Sequence, residues 1–361
     1  MRHWPDHRLL NLVQIEIPIV QAPMAGSDSI ALARSVSSTG ALGSLACALL
    51  SPDAVDQAMR ALRYEMPRPF NLNFFCHTLD PRDSVSIERW KRYLKPHYDR
   101  WSIDIETIPE SRLRMPFDEE MCAVVEELEP EVVSFHFGLP TSCLVDRLKR
   151  RGTRIVSSAT SVIEAQWLEA RGCDAIIAQG YEAGGHRAMF LENNIVSQCG
   201  LFALLPQITD AVSVPVIAAG GIADARGVVA AFALGASGVQ LGTAYLLCPE
   251  ANVSRLYRQA LSMATEDKTA LTNLFSGRPA RGILNRFLQE SGPMSDKVPA
   301  FPYAATLVAP LRAASERAES FDYLQMWAGQ AARLAKSLPA AEFTRNLAAD
   351  ALRYWDERFD R

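Results

Sequence analysis

The segment Gln179-Gly-Tyr-Glu-Ala-Gly-Gly-His-Arg187 follows the apolar run Asp174-Ala-Ile-Ile-Ala178 and holds the residues best suited to chemistry. Gly184 and Gly185 carry no Cβ, so the backbone there can turn left-handed and approach a flat ligand. His186 then projects from the rim of a strand, and imidazole is the side chain whose ordinary pKa lies nearest neutrality. Alone, such a segment reads equally well as a glycine turn with a solvated histidine. Two later segments favour the chemical reading. Val214-Pro-Val-Ile-Ala-Ala-Gly-Gly-Ile222 is a buried-type strand ending in Gly220 and Gly221, and Asp224 can cap a helix through about Leu234. Gly238-Val-Gln-Leu-Gly-Thr-Ala-Tyr-Leu-Leu247 reads as another strand, with Gly242 and Thr243 in its C-terminal half. Glycines confined to strand ends offer bare N–H groups, and Thr243 a hydroxyl, to a phosphate. In a (β/α)8 barrel the loops after strands seven and eight commonly hold one.

The elements that must position these residues alternate strand and helix. Apolar strands are expected at 19–26, 41–50, 70–75, 132–137, 154–158, 175–178, 214–219 and 239–241. Eight βα units predict an α/β fold, a parallel sheet closed into a TIM barrel over residues 1–249. Strand signals stop after residue 250, so residues 250–361 are expected to form a mainly helical region covering the ligand mouth, with an oligomer interface as the alternative. Phe343, Leu347, Ala351 and Trp355 share one helical face and indicate packing, with the C-terminal helices folding back on the barrel as one expected arrangement. Asn71 and Asn73 share a strand face, unusual for an interior strand unless a ligand satisfies an amide. Ser27 or Asp28 can cap the second helix. His77 follows a strand end and can reach the mouth. His136 reads either as a hydrogen-bonded core histidine or as an inward barrel residue, and His3, His7 and His97 as surface residues.

Composition narrows the partners. The chain has 361 residues, a net charge of -4, 48% hydrophobic and 22% charged residues, which makes no electrostatic case for nucleic acid or an anionic membrane. Small molecules, or a second copy in a homodimer, are the expected partners. The seven cysteines form no C-x-x-C pair and no clustered ligand spacing, which argues against a metal site and suits a reducing cytoplasm. Residues 227–249 are uncharged for 23 positions, but the glycines and polar residues within them read as helix, turn and buried strand rather than a membrane span.

Six motifs carry a family resemblance: Gln21-Ala-Pro-Met-Ala-Gly26, Asn71-Leu-Asn-Phe-Phe-Cys-His77, Gln179 to His186, Ala218-Ala-Gly-Gly-Ile222, Gln240-Leu-Gly-Thr243 and Phe275-Ser-Gly-Arg-Pro-Ala-Arg281. With Trp327-Ala-Gly-Gln330 they make the chain resemble the class I nitronate monooxygenases, formerly 2-nitropropane dioxygenases, among the FMN-dependent TIM-barrel enzymes. The resemblance implies FMN and no metal. It implies Pro23, Met24, Gly26, Gly184 and Gly185 against the flavin, Asn73 and Gln179 on its polar edge, and Gly220, Gly221, Gln240, Leu241, Gly242 and Thr243 at its phosphate. His186 would face the substrate as cation, N–H donor or base, with Tyr303, His77 and His136 around the pocket. The implied reaction takes an alkyl nitronate, such as propionate 3-nitronate, and O2 to a carbonyl compound and nitrite. The same motifs would serve an FMN-dependent NAD(P)H oxidoreductase acting on a quinone or enoyl thioester, and, in a different class, a non-catalytic flavin-binding module.

Overall fold

The computed structural model describes residues 3–64, 66–108 and 113–359. Its strands, in chain order, are β1 (Ile19–Gln21), β2 (Gly43–Ala46), β3 (Phe70–Phe75), β4 (Val132–His136), β5 (Arg154–Ala159), β6 (Ala175–Gln179), β7 (Gly185–His186), β8 (Val216–Ala219), β9 (Gly238–Leu241), β10 (Thr269–Thr272) and β11 (Ala280–Ile283). Eight of them form one parallel sheet in the order β1-β9-β8-β6-β5-β4-β3-β2, and a bridge from Val20 to Leu42 joins its edges. The result is the expected barrel. Helices cover its outside and side chains fill its inside, so the strands are buried on both faces and read as short apolar runs rather than alternating ones.

Three local expectations are corrected. Gly185–His186 is a strand and not a free loop, and it pairs antiparallel with β11, which pairs with β10. Strands therefore continue past residue 250. Four-residue strands are too short for a period to stand out against the helices around them. The strand expected over 238–247 ends at Leu241, and Thr243–Tyr245 is a 3-10 turn, because the ladder partner β1 runs out at Gln21. The second helix, Ile30–Ser37, is capped by Ser29. The Asp28 carboxylate instead accepts from Met24 N and Ala46 N, at 2.9 and 2.8 Å.

Beyond the barrel, helix Ala304–Arg317 packs on helix Ser84–Arg100. On the latter helix His97, expected at the surface, is buried against Phe287 and Tyr323, its Nδ1 2.9 Å from the Tyr323 hydroxyl. Helix Ala340–Phe359 lies against the barrel helices Ala225–Ala233 and Ile30–Ser37, burying Phe343, Leu347 and Ala351. Among the described residues no helix is long and apolar enough to cross a membrane.

Candidate active site

The C-terminal ends of the barrel strands open on a cavity of about 1360 Å³, counted out to its solvent mouth. Pro23, Met24, Asn73, Gln179, Gly184, Gly185, His186, Gly220, Gly221, Gln240, Gly242, Thr243 and His136 all line it. Gly26, Leu241, His77 and Tyr303 do not. Leu241 is buried in the wall with its carbonyl accepting from Ala22 N, and Gly26 turns at φ 82° outside the lining. The Tyr303 hydroxyl donates to Asp80 O, away from the cavity, and Phe301 takes the inward place two residues earlier. His77 is buried with its Nε2 3.1 Å from Arg114 O, and burial lowers its pKa to about 4.

One wall is a backbone cradle. Gly220 and Gly221 have φ of 117° and 71°, and the N–H groups of Gly220, Gly221 and Gly242 find no acceptor among the described residues. Thr243 Oγ1 accepts from Gly329 N at 2.9 Å, which leaves its hydroxyl proton free to donate. No carboxylate side chain is among the described residues lining the cavity. Unpaired N–H groups converging with a hydroxyl in acid-free surroundings fit a phosphate. Gln240 Oε1 is buried without a partner, and Asn73 keeps its amide on Ser134 O and Oγ at 3.2 and 2.9 Å.

His186 lines the same cavity, and its surroundings decide its state. The rings of Trp327, Phe301, Phe137 and Phe75 lie 5.5, 5.7, 6.0 and 6.2 Å from the imidazole. Burial in this aromatic box, with Arg114, His136 and Arg278 nearby, holds the His186 pKa well below 6.5, so the ring is neutral at pH 7. We assign the tautomer from Ser276: with its hydroxyl directed to Arg278 O at 3.2 Å, its oxygen accepts from His186 Nε2–H at 2.9 Å. Nδ1, with no protein partner among the described residues and not fully buried, presents its lone pair to the cavity. In that tautomer the neutral imidazole has a lone pair on Nδ1 that can take up a proton.

The two amide and imidazole groups nearest His186 hold its backbone. Gln179 Nε2 and His136 Nε2 both reach His186 O, at 3.0 and 3.1 Å, and Gln179 Oε1 accepts from Ala188 N at 2.9 Å. Gln179, expected on the flavin edge, spends Oε1 and one Nε2 proton on the protein and keeps its second Nε2 proton while lining the cavity. Burial lowers the His136 pKa to about 4, so it serves as a neutral donor. Arg187, fully buried, donates to Gly180 O and Gln179 O at 2.5 and 2.9 Å and locks the loop between them. Gly184 is required for a reason the sequence did not disclose. A Cβ there would meet Gly329 N at 2.5 Å, so the chain's own close approach already demands glycine.

The sequence reading missed Ser276, Arg187, Phe301, Trp327 and Arg114. Arg187, Ser276 and Trp327 lie inside segments quoted above, so those three were within reach. Arg114 lies in an irregular connection without periodicity and gives no local signal.

Comparison with known proteins places the chain. The nitronate monooxygenase family profile matches residues 6–350. The chain is 41% identical over 345 residues to a nitronate monooxygenase of Paraburkholderia phytofirmans, covering 94% of this chain and 93% of that one. It is 40% identical to that of Pseudomonas aeruginosa, over 94% and 97% of the two chains. Among solved structures, a nitroalkane oxidase from Streptomyces ansochromogenes aligns with a TM-score of 0.88 at 36% identity, over 96% of this chain and 99% of that one. FabK from Thermotoga maritima aligns at 0.74 with 26% identity, over 98% of each.

Proposed function

Because the chain belongs to the nitronate monooxygenase family and is thus an oxidoreductase, we propose that it binds FMN over the barrel mouth and oxidises alkyl nitronates with O2. The products are a carbonyl compound and nitrite. The observation that carries this reading is one cavity lined both by unpaired backbone N–H groups and by a histidine kept neutral by burial. The N–H groups of Gly220, Gly221 and Gly242, with the Thr243 hydroxyl and Gln240, would hold the phosphate. Pro23, Met24, Asn73, Gly184 and Gly185 would border the flavin. A single phosphate cradle without a G-x-G-x-x-G unit favours the mononucleotide over FAD. When bound, FMN supplies an electron acceptor that reacts with dioxygen.

The chain's own residues supply proton handling and enclosure. For a neutral nitroalkane, His186 Nδ1 takes the α-proton while Ser276 keeps Nε2–H in place. Gln179 and His136 fix the His186 carbonyl, and Phe75, Phe137, Phe301 and Trp327 keep water from the ring. The test is His186→Asn. The variant is expected to retain FMN and to lose about 10²-fold to 10⁴-fold in kcat/KM with neutral nitroalkane, the span for one positioned general base. Preformed nitronate, which needs no deprotonation, should lose much less. Near-normal turnover of nitroalkane by a flavin-replete variant would refute the role.

A further inference from the structure

A nitronate is an anion, and the neutral His186 brings no charge to it. Among the described residues lining the cavity, Arg114 carries the one charged side chain. Its place is built rather than incidental. The Arg114 carbonyl lies 3.1 Å from His77 Nε2, and Phe117 N donates to Phe75 O at 2.8 Å, which fastens this stretch to the end of β3. Arg278, the other cation beside His186, is already committed: its guanidinium lies 4.2 Å over the Phe137 ring and donates to Met189 O at 2.7 Å. The Arg114 guanidinium has no carboxylate within ion-pair distance and no hydrogen-bond acceptor among the described residues. The charge felt most strongly beside it is that of another arginine, Arg312. A half-buried guanidinium with five donors and no anion is an incomplete pair.

We propose that Arg114 is the substrate-anion site of the cavity, accepting the two nitro oxygens of a nitronate on its N–H fork. The inference rests on the functional reading above and adds a specificity-determining residue to it. Guanidinium geometry matches two oxygens on one planar centre, as it does a carboxylate. The division of labour then closes for a neutral nitroalkane. The α C–H bond breaks, its proton goes to His186 Nδ1, and its electron pair moves onto the nitro oxygens, where Arg114 stabilises the developing charge.

The experiment uses the flavin-loaded enzyme and two readouts, the nitronate KM and calorimetric binding of nitrate, a planar anion that cannot react. Wild type should bind nitrate competitively with nitronate. Arg114→Gln should raise both the nitrate Kd and the nitronate KM by about 10-fold to 100-fold, the worth of a charge-assisted hydrogen bond, with a smaller change in kcat for nitronate. Arg114→Lys keeps the charge without the fork and should fall between the two. Absence of nitrate binding to wild type, or unchanged KM and Kd in flavin-replete Arg114→Gln or Arg114→Lys, overturns the proposal. Because nitrate binding is read without turnover, an enzyme that binds nitrate through Arg114 yet oxidises no nitronate would defeat the functional reading and leave the anion site standing.

Discussion

At the residue scale the account turns on a histidine kept uncharged by its neighbours. Its Nδ1 can accept a proton only while the ring is neutral, and desolvation together with nearby cations lowers its pKa well below 6.5. The sign is definite: a lowered histidine pKa extends the base form toward acid. The kcat/KM for a neutral nitroalkane should therefore stay level as pH falls through 6.5, with its acid limb lying below that value. A limb at or above 6.5 in the pH–rate profile would mean that the group is not buried as described. How much of the site was legible varied residue by residue. His186 stood out because a glycine pair precedes it. The jobs of Gln179 and His136 did not, since both act on the His186 carbonyl, a contact that exists only once β4, β6 and β7 are adjacent. Arg114, Phe301 and Trp327 come from segments far apart in sequence and meet through the fold alone.

At the element scale, glycines at the strand ends make the cradle, but they act in different ways. Gly220 and Gly221 take positive φ, which a Cβ would strain. Gly184 gives way to Gly329. Gly242 has φ -110°, and a Cβ there would make ordinary contact with Ala22 Cβ and Met24 Sδ, at 3.4 and 3.6 Å, so the backbone tolerates a side chain. Gly242→Val should therefore fold, as judged by circular dichroism, and lose FMN, because its methyls stand beside the unpaired N–H. Full FMN occupancy in the folded variant would show that the phosphate lies elsewhere. Strand positions were readable because several apolar runs stop at glycine, as after β6, β8 and β9. The β10–β11 hairpin was not, since its four-residue strands gain their identity from pairing with β7 rather than from their own pattern.

At the scale of the whole molecule, a barrel brings strand ends together and the segment after residue 250 closes over them from one side. Ser276 reaches His186 from that segment, and Phe301 and Trp327 complete its aromatic surroundings. The last helix belongs to the barrel's exterior. Burying Phe343 and Leu347 there contributes about 1.5–3 kcal/mol each, and Glu250 receives Ala340 N at 3.0 Å. The alternation of strand and helix made the barrel legible, and the apolar face of residues 343–355 showed that the helix packs. The central claim, oxidation of nitronate by the bound flavin, is tested most directly by mixing the purified yellow protein anaerobically with a nitronate, and separately with NADH, while following flavin absorbance. The account predicts that nitronate alone bleaches the flavin and that admitting O2 restores the colour with release of nitrite; bleaching by NADH and not by nitronate would contradict it.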